Sequence, residues 1–213
     1  MNEKLFTSGN NFPEGSFKVD GGRSAWYQTG RCIPGGFAID LTKFPKGSVV
    51  AGGTPVLYDE ATRTAKVHVA VKVYEAAAVG ATAIKVEKPL GNSALTAGQH
   101  VIVAPSAASG TGTGITIASI DRSNELYDVL TVAELEAALT AGTILVEADK
   151  AGAGAKIAVV PNALSYHDIY VDSNSTQFSV TAVVEGTVYE RRIPPVAAAV
   201  KSLFTEITFS QSR

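Results

Sequence analysis

The stretch that decides the fold runs from Val49 to Tyr74 and reads Val-Val-Ala-Gly-Gly-Thr-Pro-Val-Leu-Tyr-Asp-Glu-Ala-Thr-Arg-Thr-Ala-Lys-Val-His-Val-Ala-Val-Lys-Val-Tyr. Its second half alternates strictly, with Val67, Val69, Val71 and Val73 on one side and Lys66, His68, Ala70 and Lys72 on the other. Such alternation of β-branched residues is typical of a strand with one face on a core and the other on solvent or a partner. The polar segment Asp59-Glu-Ala-Thr62 predicts a turn before this strand. A β-meander is therefore expected at the centre of the fold.

The composition restricts the classes of protein and partner. The 213 residues suffice for one large all-β domain or two small ones, each with a real core. Charged residues make up 18% of the chain, below the usual quarter, so partners cover part of the surface or the protein is a weakly charged β-protein. A net charge of −2 lacks the broad basic footprint of a nucleic-acid-binding protein.

The single cysteine, Cys32, excludes an intrachain disulfide and a cysteine-based metal cluster within one chain. The first eleven residues lack the apolar core of a secretory signal, and no run approaches the roughly twenty apolar residues that cross a bilayer. We therefore expect no membrane partner, and we expect synthesis and assembly in the cytoplasm.

Residues 1–46 differ from the rest because isolated aromatic residues lie between glycines and prolines without periodicity. A disordered tail would contain few aromatics, so we predict an extended arm that docks on another molecule. Alternatively, these side chains fill the protein's own core. The candidate partner contacts in the arm are Phe6, Phe12, Phe17, Trp26, Tyr27 and Phe37.

Residues 47–160 alternate short β-runs with glycine or proline breaks, a spacing that predicts a barrel or a sandwich. Leu95-Thr-Ala-Gly98 and Leu139-Thr-Ala-Gly142 each precede a strand-like run, which indicates two related β-units. A capping box at Thr131 and Glu134 predicts a short helix through Leu139. The predicted strands are Val49-Val50, Val56–Tyr58, Ala65–Tyr74, Ala83–Glu87, His100–Ala104, Ile115–Ile120, Leu126–Leu130, Thr143–Ala148 and Lys156–Val160.

Residues 161–213 form a third section, with further short strands around Ile169, Phe178, Thr187 and Ile207. Pro194-Pro195 opens a predicted helix at 195–204, whose apolar stripe comprises Val196, Val200, Leu203 and Phe204. Arg191 and Arg192 are candidate contacts with a partner. The expected fold class is mainly β: a barrel or sandwich module with an extended N-terminal arm and a short C-terminal helix.

Motifs that suggest chemistry are incomplete. Gly110-Thr-Gly-Thr-Gly114 does not have the spacing of a dinucleotide fingerprint, and a strand rather than a helix follows it. Ser165, His167 and Asp168 are the residue types of a hydrolase triad but are nearly consecutive, and in one strand Ser165 and His167 would face one way and Asp168 the other. His68, His100 and His167 lack neighbouring carboxylate clusters. We therefore predict no catalytic residue, metal or cofactor, and a protein that is not an enzyme.

Several segments resemble the head fibre proteins of bacteriophages, including those encoded by phages and prophages of Bacteroides-type bacteria. The resemblance covers about residues 49–213, and its motifs are structural. They are Gly52-Gly-Thr-Pro-Val-Leu-Tyr-Asp-Glu-Ala-Thr62, Val73-Tyr-Glu75, Gly80-Ala-Thr-Ala-Ile-Lys-Val86, Tyr127-Asp-Val-Leu-Thr-Val132, Tyr166-His-Asp-Ile-Tyr-Val171 and Gly186-Thr-Val-Tyr-Glu-Arg-Arg-Ile-Pro-Pro195.

The resemblance implies a virion structural protein, a capsid decoration or head fibre subunit on the capsid exterior. It also implies the major capsid protein as partner and a homotrimer as the assembly. Two other classes remain open on the residues alone. One is a tail or receptor-binding component that recognises a host surface glycan, and the other is a hydrolase of an unrecognised type.

Overall fold

The computed structural model describes residues 25–88, 93–171 and 178–211. These residues are mainly β, with one single-turn helix near the C-terminus, so the predicted fold class is confirmed. The strands are β1 (Trp26–Thr29), β2 (Phe37–Ile39), β3 (Val49–Val50), β4 (Pro55–Asp59), β5 (Thr64–Val67), β6 (Ala70–Lys72), β7 (Ala83–Glu87), β8 (His100–Val103), β9 (Gly112–Asp121), β10 (Tyr127–Val132), β11 (Ile144–Ala148), β12 (Gly152–Ala155), β13 (Ala163–Ser165), β14 (Ile169–Tyr170), β15 (Phe178–Val180), β16 (Ala182–Val183), β17 (Gly186–Tyr189) and β18 (Ile207–Ser210). The helix is α1 (Ala198–Lys201), and a 3₁₀ turn covers Glu190–Arg192.

Six strands form a barrel in the order β6, β11, β8, β9, β10 and β7. The ring is closed by an antiparallel bridge between Val73 and Val86 and by the Tyr74 amide, which donates to the Lys85 carbonyl at 2.8 Å. A barrel of this size is filled by its own side chains rather than leaving a pore. The buried side chains of this interior include Ile84, Val86, Leu95, Val101, Ile117, Leu130 and Leu145.

A second, six-stranded sheet has the order β15, β2, β5, β4, β13 and β16, and a smaller sheet has the order β1, β17 and β18. β14 pairs with β3. These sheets combine strands from the predicted arm, from the central meander and from the C-terminal section. The predicted divisions at residues 46 and 160 therefore do not coincide with breaks in the sheets, because long-range pairing joins all three sections.

The alternating valines do not lie in one strand, contrary to the prediction for Ala65–Tyr74. Val67 pairs with Val56 in the six-stranded sheet, whereas Val71 pairs with Leu145 in the barrel. The chain thus passes from one sheet to the other at His68 and Val69, and both of these residues are buried. The valines occupy core positions as predicted, but His68 is covered because the two sheets meet around it.

The repeated Leu-Thr-Ala-Gly segment adopts the same turn twice. In each copy the threonine carbonyl accepts a hydrogen bond from the amide three residues later, at 3.3 Å and 3.2 Å. Gly98 and Gly142 have φ values of 88° and 86°, as the third position of a type II turn requires. Leu95 and Leu139 are both buried in the barrel core. The two turns lead into β8 and β11, which pair with each other.

The helix predicted from Thr131 to Leu139 is absent, because Thr131 belongs to β10 and the following residues are irregular. The Leu135 and Leu139 amides donate to the carbonyls of Ala81 and Ala77 at 3.0 and 2.8 Å, and both leucine side chains are buried. A segment of this length gains too little from its own helical bonds to form a helix alone. Tertiary hydrogen bonds and burial of the two leucines decide its conformation.

The predicted C-terminal helix at 195–204 is observed only as the single turn α1. Val196, Val200 and Phe204 are buried as the apolar stripe predicts, whereas Leu203 is 40% exposed.

The predicted strand at Lys156–Val160 is replaced by β12, which lies upstream of it and pairs with β9. A side chain at Gly114 would lie 2.1 Å from the Lys150 carbonyl oxygen, so β12 approaches β9 closely only because residue 114 is glycine.

A second core lies between the barrel and the C-terminal section. The outward-facing Ile102 of β8 and Val146 of β11 belong to it, whereas Val101 and Leu145 belong to the first core. Its other members come from both ends of the described chain and include Trp26, Leu164, Val183, Val188, Ile193, Val200 and Ile207. The barrel is therefore buried on one outer face as well as inside.

Arg63 has a strained backbone that its side chain holds in place. Its φ is 55°, unusual for a residue with a side chain, and its guanidinium donates to the carbonyls of Pro34 and Gly36 at 2.7 and 2.9 Å. The guanidinium also lies 4.4 Å from the centre of the Phe37 ring.

We expect Arg63→Ala to be less stable than Arg63→Gly by about 1 kcal/mol, because alanine keeps the left-handed strain while both variants lose the same side-chain contacts. Urea unfolding of the two variants beside the wild type measures the difference. Equal stability of the two, or a more stable alanine variant, would contradict this account of the Arg63 backbone.

Candidate interaction surface

Two tyrosines and an arginine meet on the three-stranded sheet. Trp26 of β1 pairs with Val188 of β17, and both side chains face the second core. Alternation then directs Tyr27 outward, where it is 68% exposed. The rings of Tyr27 and Tyr189 are 5.9 Å apart in an edge-to-face arrangement, and the Arg192 guanidinium lies 4.3 Å from the centre of the Tyr189 ring.

We call Tyr27, Tyr189 and Arg192 the Tyr27 surface. The structure thus brings together two of the residues that the sequence suggested as contacts, Tyr27 and Arg192, whereas Arg191 is exposed on the same 3₁₀ turn as Arg192. Sequence reasoning missed Tyr189, although it ends a short alternating run directly before the 3₁₀ turn that carries the arginines. Its pairing with β1 was the missing information.

The neighbouring Glu190 is engaged within the chain. Its carboxylate accepts hydrogen bonds from the Lys201 ammonium and from the Gln211 amide. Lys201 belongs to α1 and Gln211 follows β18, so Glu190 ties both elements to the 3₁₀ turn. The Glu190 charge is therefore balanced by Lys201.

The other aromatic candidates of the N-terminal section lie elsewhere. Trp26 is 7% exposed and its indole N–H donates to the Ser165 carbonyl at 3.2 Å. Phe37 is 1% exposed and lies 4.9 Å from the Tyr58 ring. Both side chains pack within the chain's own core because β1 and β2 are strands of the two sheets. This agrees with the alternative interpretation of the N-terminal aromatics. Phe6, Phe12 and Phe17 lie outside the described residues.

Ser165 and Asp168 hold the turn at residues 51–54. The Ser165 hydroxyl donates to the Ala51 carbonyl at 2.8 Å and accepts from the Thr54 amide at 3.1 Å. The Asp168 carboxylate accepts from the Gly52 amide at 2.6 Å. β13 ends at Ser165, which is buried, while His167 lies beyond the strand and is exposed, so the geometry of a single strand does not apply to the two residues.

The two histidines of the central section each contact a single oxygen. His68 Nδ1 lies 2.7 Å from the Val159 carbonyl oxygen, and His100 Nδ1 lies 3.0 Å from the Thr116 hydroxyl. Within the described residues, no three histidine, cysteine, aspartate or glutamate side chains are grouped as a metal ion requires. Among the same residues, no helix has the length and apolar character needed to span a membrane.

No protein family model, curated protein or solved structure matches this chain.

Proposed function

We propose that the chain is a virion structural protein, a capsid decoration or head fibre subunit that binds the outer surface of a phage capsid shell. The observation that carries the proposal is the Tyr27 surface, where the Tyr189 ring meets the Tyr27 ring edge-to-face and the Arg192 guanidinium lies over the Tyr189 ring. Tyrosine and arginine are the residue types that most often dominate binding energy in protein interfaces. Because a paired strand holds Tyr27, little side-chain and backbone freedom is lost when a partner covers it.

The position of the first described residue also supports this surface as the docking site. The Ala25 carbonyl accepts a hydrogen bond from the Tyr189 amide at 2.8 Å. Residues 1–24, with Phe6, Phe12 and Phe17, are therefore joined to the chain beside the Tyr27 surface. The docking segment that we propose is residues 1–24 together with this surface, and the partner is the major capsid protein.

The resemblance to phage head fibre proteins supports the same proposal and adds a homotrimer on the capsid exterior. The low fraction of charged residues, 18%, suits surfaces that are covered in a symmetric assembly. Light scattering of the purified chain tests the trimer directly. A mass of one chain, both free and bound to shells, would contradict it.

The docking test uses capsid shells of the encoding phage from which this protein has been removed. We expect Tyr27→Ala and Arg192→Ala each to weaken co-sedimentation with the shells about tenfold or more, the loss typical of a central interface residue. The matched control is Leu126→Ala, because Leu126 is similarly exposed at 64% but lies directly before β10 of the barrel.

Deletion of residues 1–24 is the second arm of this test. The deletion stops before β1, so Trp26 and Phe37 keep their core positions and residues 25–211 are expected to stay folded. We expect the folded, shortened chain to lose shell binding. If the deletion and both point variants bind shells with full occupancy, the proposed docking site is wrong.

One observation favours a second candidate, recognition of a host surface glycan. Tyr74 and Tyr127 form a tilted pair on the barrel exterior with ring centres 5.0 Å apart, and Tyr74 is 40% exposed. Lys85 lies 5.1 Å from the Tyr127 ring centre and forms an ion pair with Glu75 at 2.5 Å. An aromatic face beside charged hydrogen-bonding groups suits the apolar face and hydroxyls of a sugar.

Binding to host surface polysaccharide distinguishes the two candidates. A glycan receptor would lose binding in Tyr74→Ala and keep it in Tyr27→Ala. A decoration subunit would show the opposite pattern on capsid shells. Absence of polysaccharide binding by the wild type removes the glycan candidate.

A further inference from the structure

Two stretches of chain join the barrel to the six-stranded sheet. The six barrel strands and β12 come from residues 70–155, whereas the strands of the six-stranded sheet come from before and after this range. The chain therefore enters the barrel once, at His68 and Val69, and leaves it once, after β12 and before β13. We call residues 68–69 the first crossing and residues 156–162 the second crossing.

The first crossing is bonded to both sheets through its backbone. The His68 amide donates to the Pro55 carbonyl of β4 at 2.9 Å. The Val69 carbonyl accepts from the Glu147 amide of β11 at 2.9 Å. Two neighbouring residues thus attach the chain to the six-stranded sheet on one side and to the barrel on the other.

The second crossing is bonded to the same two strands. The Ala158 amide donates to the Glu147 carbonyl of β11 at 2.9 Å. The Asn162 amide donates to the Val56 carbonyl of β4 at 3.0 Å. Because Glu147 bonds both crossings, and because Val56 follows Pro55 directly, the two crossings lie side by side. We call the amides of His68, Glu147, Ala158 and Asn162 the junction amides.

The His68 side chain links the two crossings. Its Nδ1 lies 2.7 Å from the Val159 carbonyl oxygen of the second crossing, and a carbonyl can only accept, so Nδ1 carries the proton. The ring is 3% exposed, and Nε2 is buried without a hydrogen-bond partner among the described residues. A second proton would place a charged N–H at Nε2 without an acceptor, and burying such a charge costs far more than burying the neutral ring.

Within the described residues, no ion pair offsets the charge of a protonated His68. The charged side chains of β4, β5, β6, β11 and the second crossing, with the one of β7 that lies beside β6, are Asp59, Lys66, Lys72, Glu147, Lys156 and Glu87. Lys72 and Glu87 pair with each other at 2.9 Å. The Glu147 carboxylate accepts a hydrogen bond from the Gln99 side chain at 3.2 Å. None of these carboxylates pairs with the His68 ring.

The pH dependence of the link follows from the burial of the ring. Burial lowers the pKa of His68 below its ordinary value of about 6.5, and the hydrogen bond to Val159 opposes this only in part. A ring released into water regains the ordinary pKa, so the released state binds a proton more readily. The closed state therefore loses stability as the pH falls below about 6.5. Burial raises the pKa of Glu147, so that carboxyl group acts in the opposite direction and favours the closed state as the pH falls.

We propose that His68 is an acid-sensitive link between the barrel and the six-stranded sheet. When the ring gains a proton from solvent it leaves its buried site, the hydrogen bond to Val159 is lost, and the two crossings open. The barrel strands stay paired, because the ring of six strands is closed by its own hydrogen bonds. This inference does not depend on the proposed virion role.

Hydrogen exchange of the full chain between pH 7 and pH 5 tests the link. We expect the protection of the junction amides, corrected for the intrinsic exchange rate, to fall by up to about thirtyfold, which is tenfold for each pH unit below about 6.5. The Tyr74 and Ile117 amides bond within the barrel. At pH 5 they should remain about tenfold or more better protected than the junction amides, because the crossings open without the barrel.

His68→Asn removes the titrating group and keeps a donor, because the asparagine side-chain amide can bond the Val159 carbonyl and takes no proton between pH 5 and pH 7. We expect this variant to lose the acid-dependent fall in protection of the junction amides. His100→Asn is the matched control, because His100 contacts the Thr116 hydroxyl on the barrel, away from both crossings. This control should show the same fall as the wild type.

A ¹⁵N NMR titration of the wild-type histidine rings gives the second readout. We expect His68 to be the Nδ1–H tautomer at pH 7 and to titrate with a midpoint below about 6.5. The proposal is overturned by a midpoint at or above that value, by junction amides whose protection does not fall, or by the same fall in His68→Asn. Junction amides as well protected as those of Tyr74 and Ile117 at pH 5 would also overturn it. If His68→Asn does not fold, the wild-type measurements decide alone.

Discussion

Gly53→Ala is expected to lower the free energy of unfolding by about 3 kcal/mol, from the strain of a left-handed residue with a side chain and from overpacking. Gly53 has a φ of 81° in the turn at residues 51–54 that Ser165 and Asp168 hold. An added Cβ would lie 2.3 Å from Ile193 Cγ2 and 3.2 Å from Val188 Cγ2, so the second core would have to move. Urea unfolding monitored by Trp26 fluorescence measures the loss.

Gly80→Ala is the matched control for this prediction. Its φ of 79° is nearly the same, but a Cβ there would have no neighbour within 4 Å. We expect Gly80→Ala to lower the free energy of unfolding only through left-handed backbone strain, by about 1–2 kcal/mol. The double variant Gly53→Ala/Ile193→Ala should lose less than the sum of its single variants, because alanine at 193 removes the clashing Cγ2. Equal losses at Gly53 and Gly80 would contradict the steric account.

Asp128→Ala is expected to lower the free energy of unfolding by about 3–5 kcal/mol, the loss typical when one partner of a buried ion pair is removed. Asp128 of β10 is fully buried, with Lys88 Nζ 3.1 Å from Oδ1 and Arg122 Nε 3.9 Å from Oδ2. Oδ2 also accepts the Ser93 amide at 2.9 Å. Lys88 is only 10% exposed, so alanine at 128 leaves a buried ammonium without its counter-charge.

Glu75→Ala is the matched control, because Glu75 also pairs with a lysine but its side chain is 54% exposed. Surface pairs of this kind contribute little, so we expect a much smaller loss than at Asp128. The double variant Lys88→Met/Asp128→Leu should recover much of the stability, because the more deeply buried cation is removed with its counter-charge, while Arg122 is 25% exposed and keeps its hydrogen bond to the Leu95 carbonyl. A loss in Asp128→Ala no larger than in Glu75→Ala would show that the buried pair does not stabilise the barrel.

The candidate contact residues show what local sequence patterns can and cannot predict. The sequence identified Tyr27, Arg191 and Arg192 as candidate contacts, but it gave Trp26 and Phe37 the same role although both are buried. Local sequence does not separate the two groups, because burial depends on which strands cover a residue. Trp26 is covered since β1 pairs with β17 from near the other end of the chain. The burial of His68 was equally unpredictable, because His68 lies on the side of the valine alternation that was expected to face solvent or a partner.

The amino-acid sequence by itself determined the all-β class, most strand positions, the core role of the alternating valines and the repeated glycine turns. These features follow from local periodicity and from the φ values that particular residues permit. Only the tertiary structure decided the closure of the barrel, the division of Ala65–Tyr74 between two sheets, the loss of the helix after Thr131 and the buried position of Asp128. Each of these features depends on hydrogen bonds and packing contacts between residues far apart in the chain. The local spacing of residues does not indicate which distant residues will make those contacts.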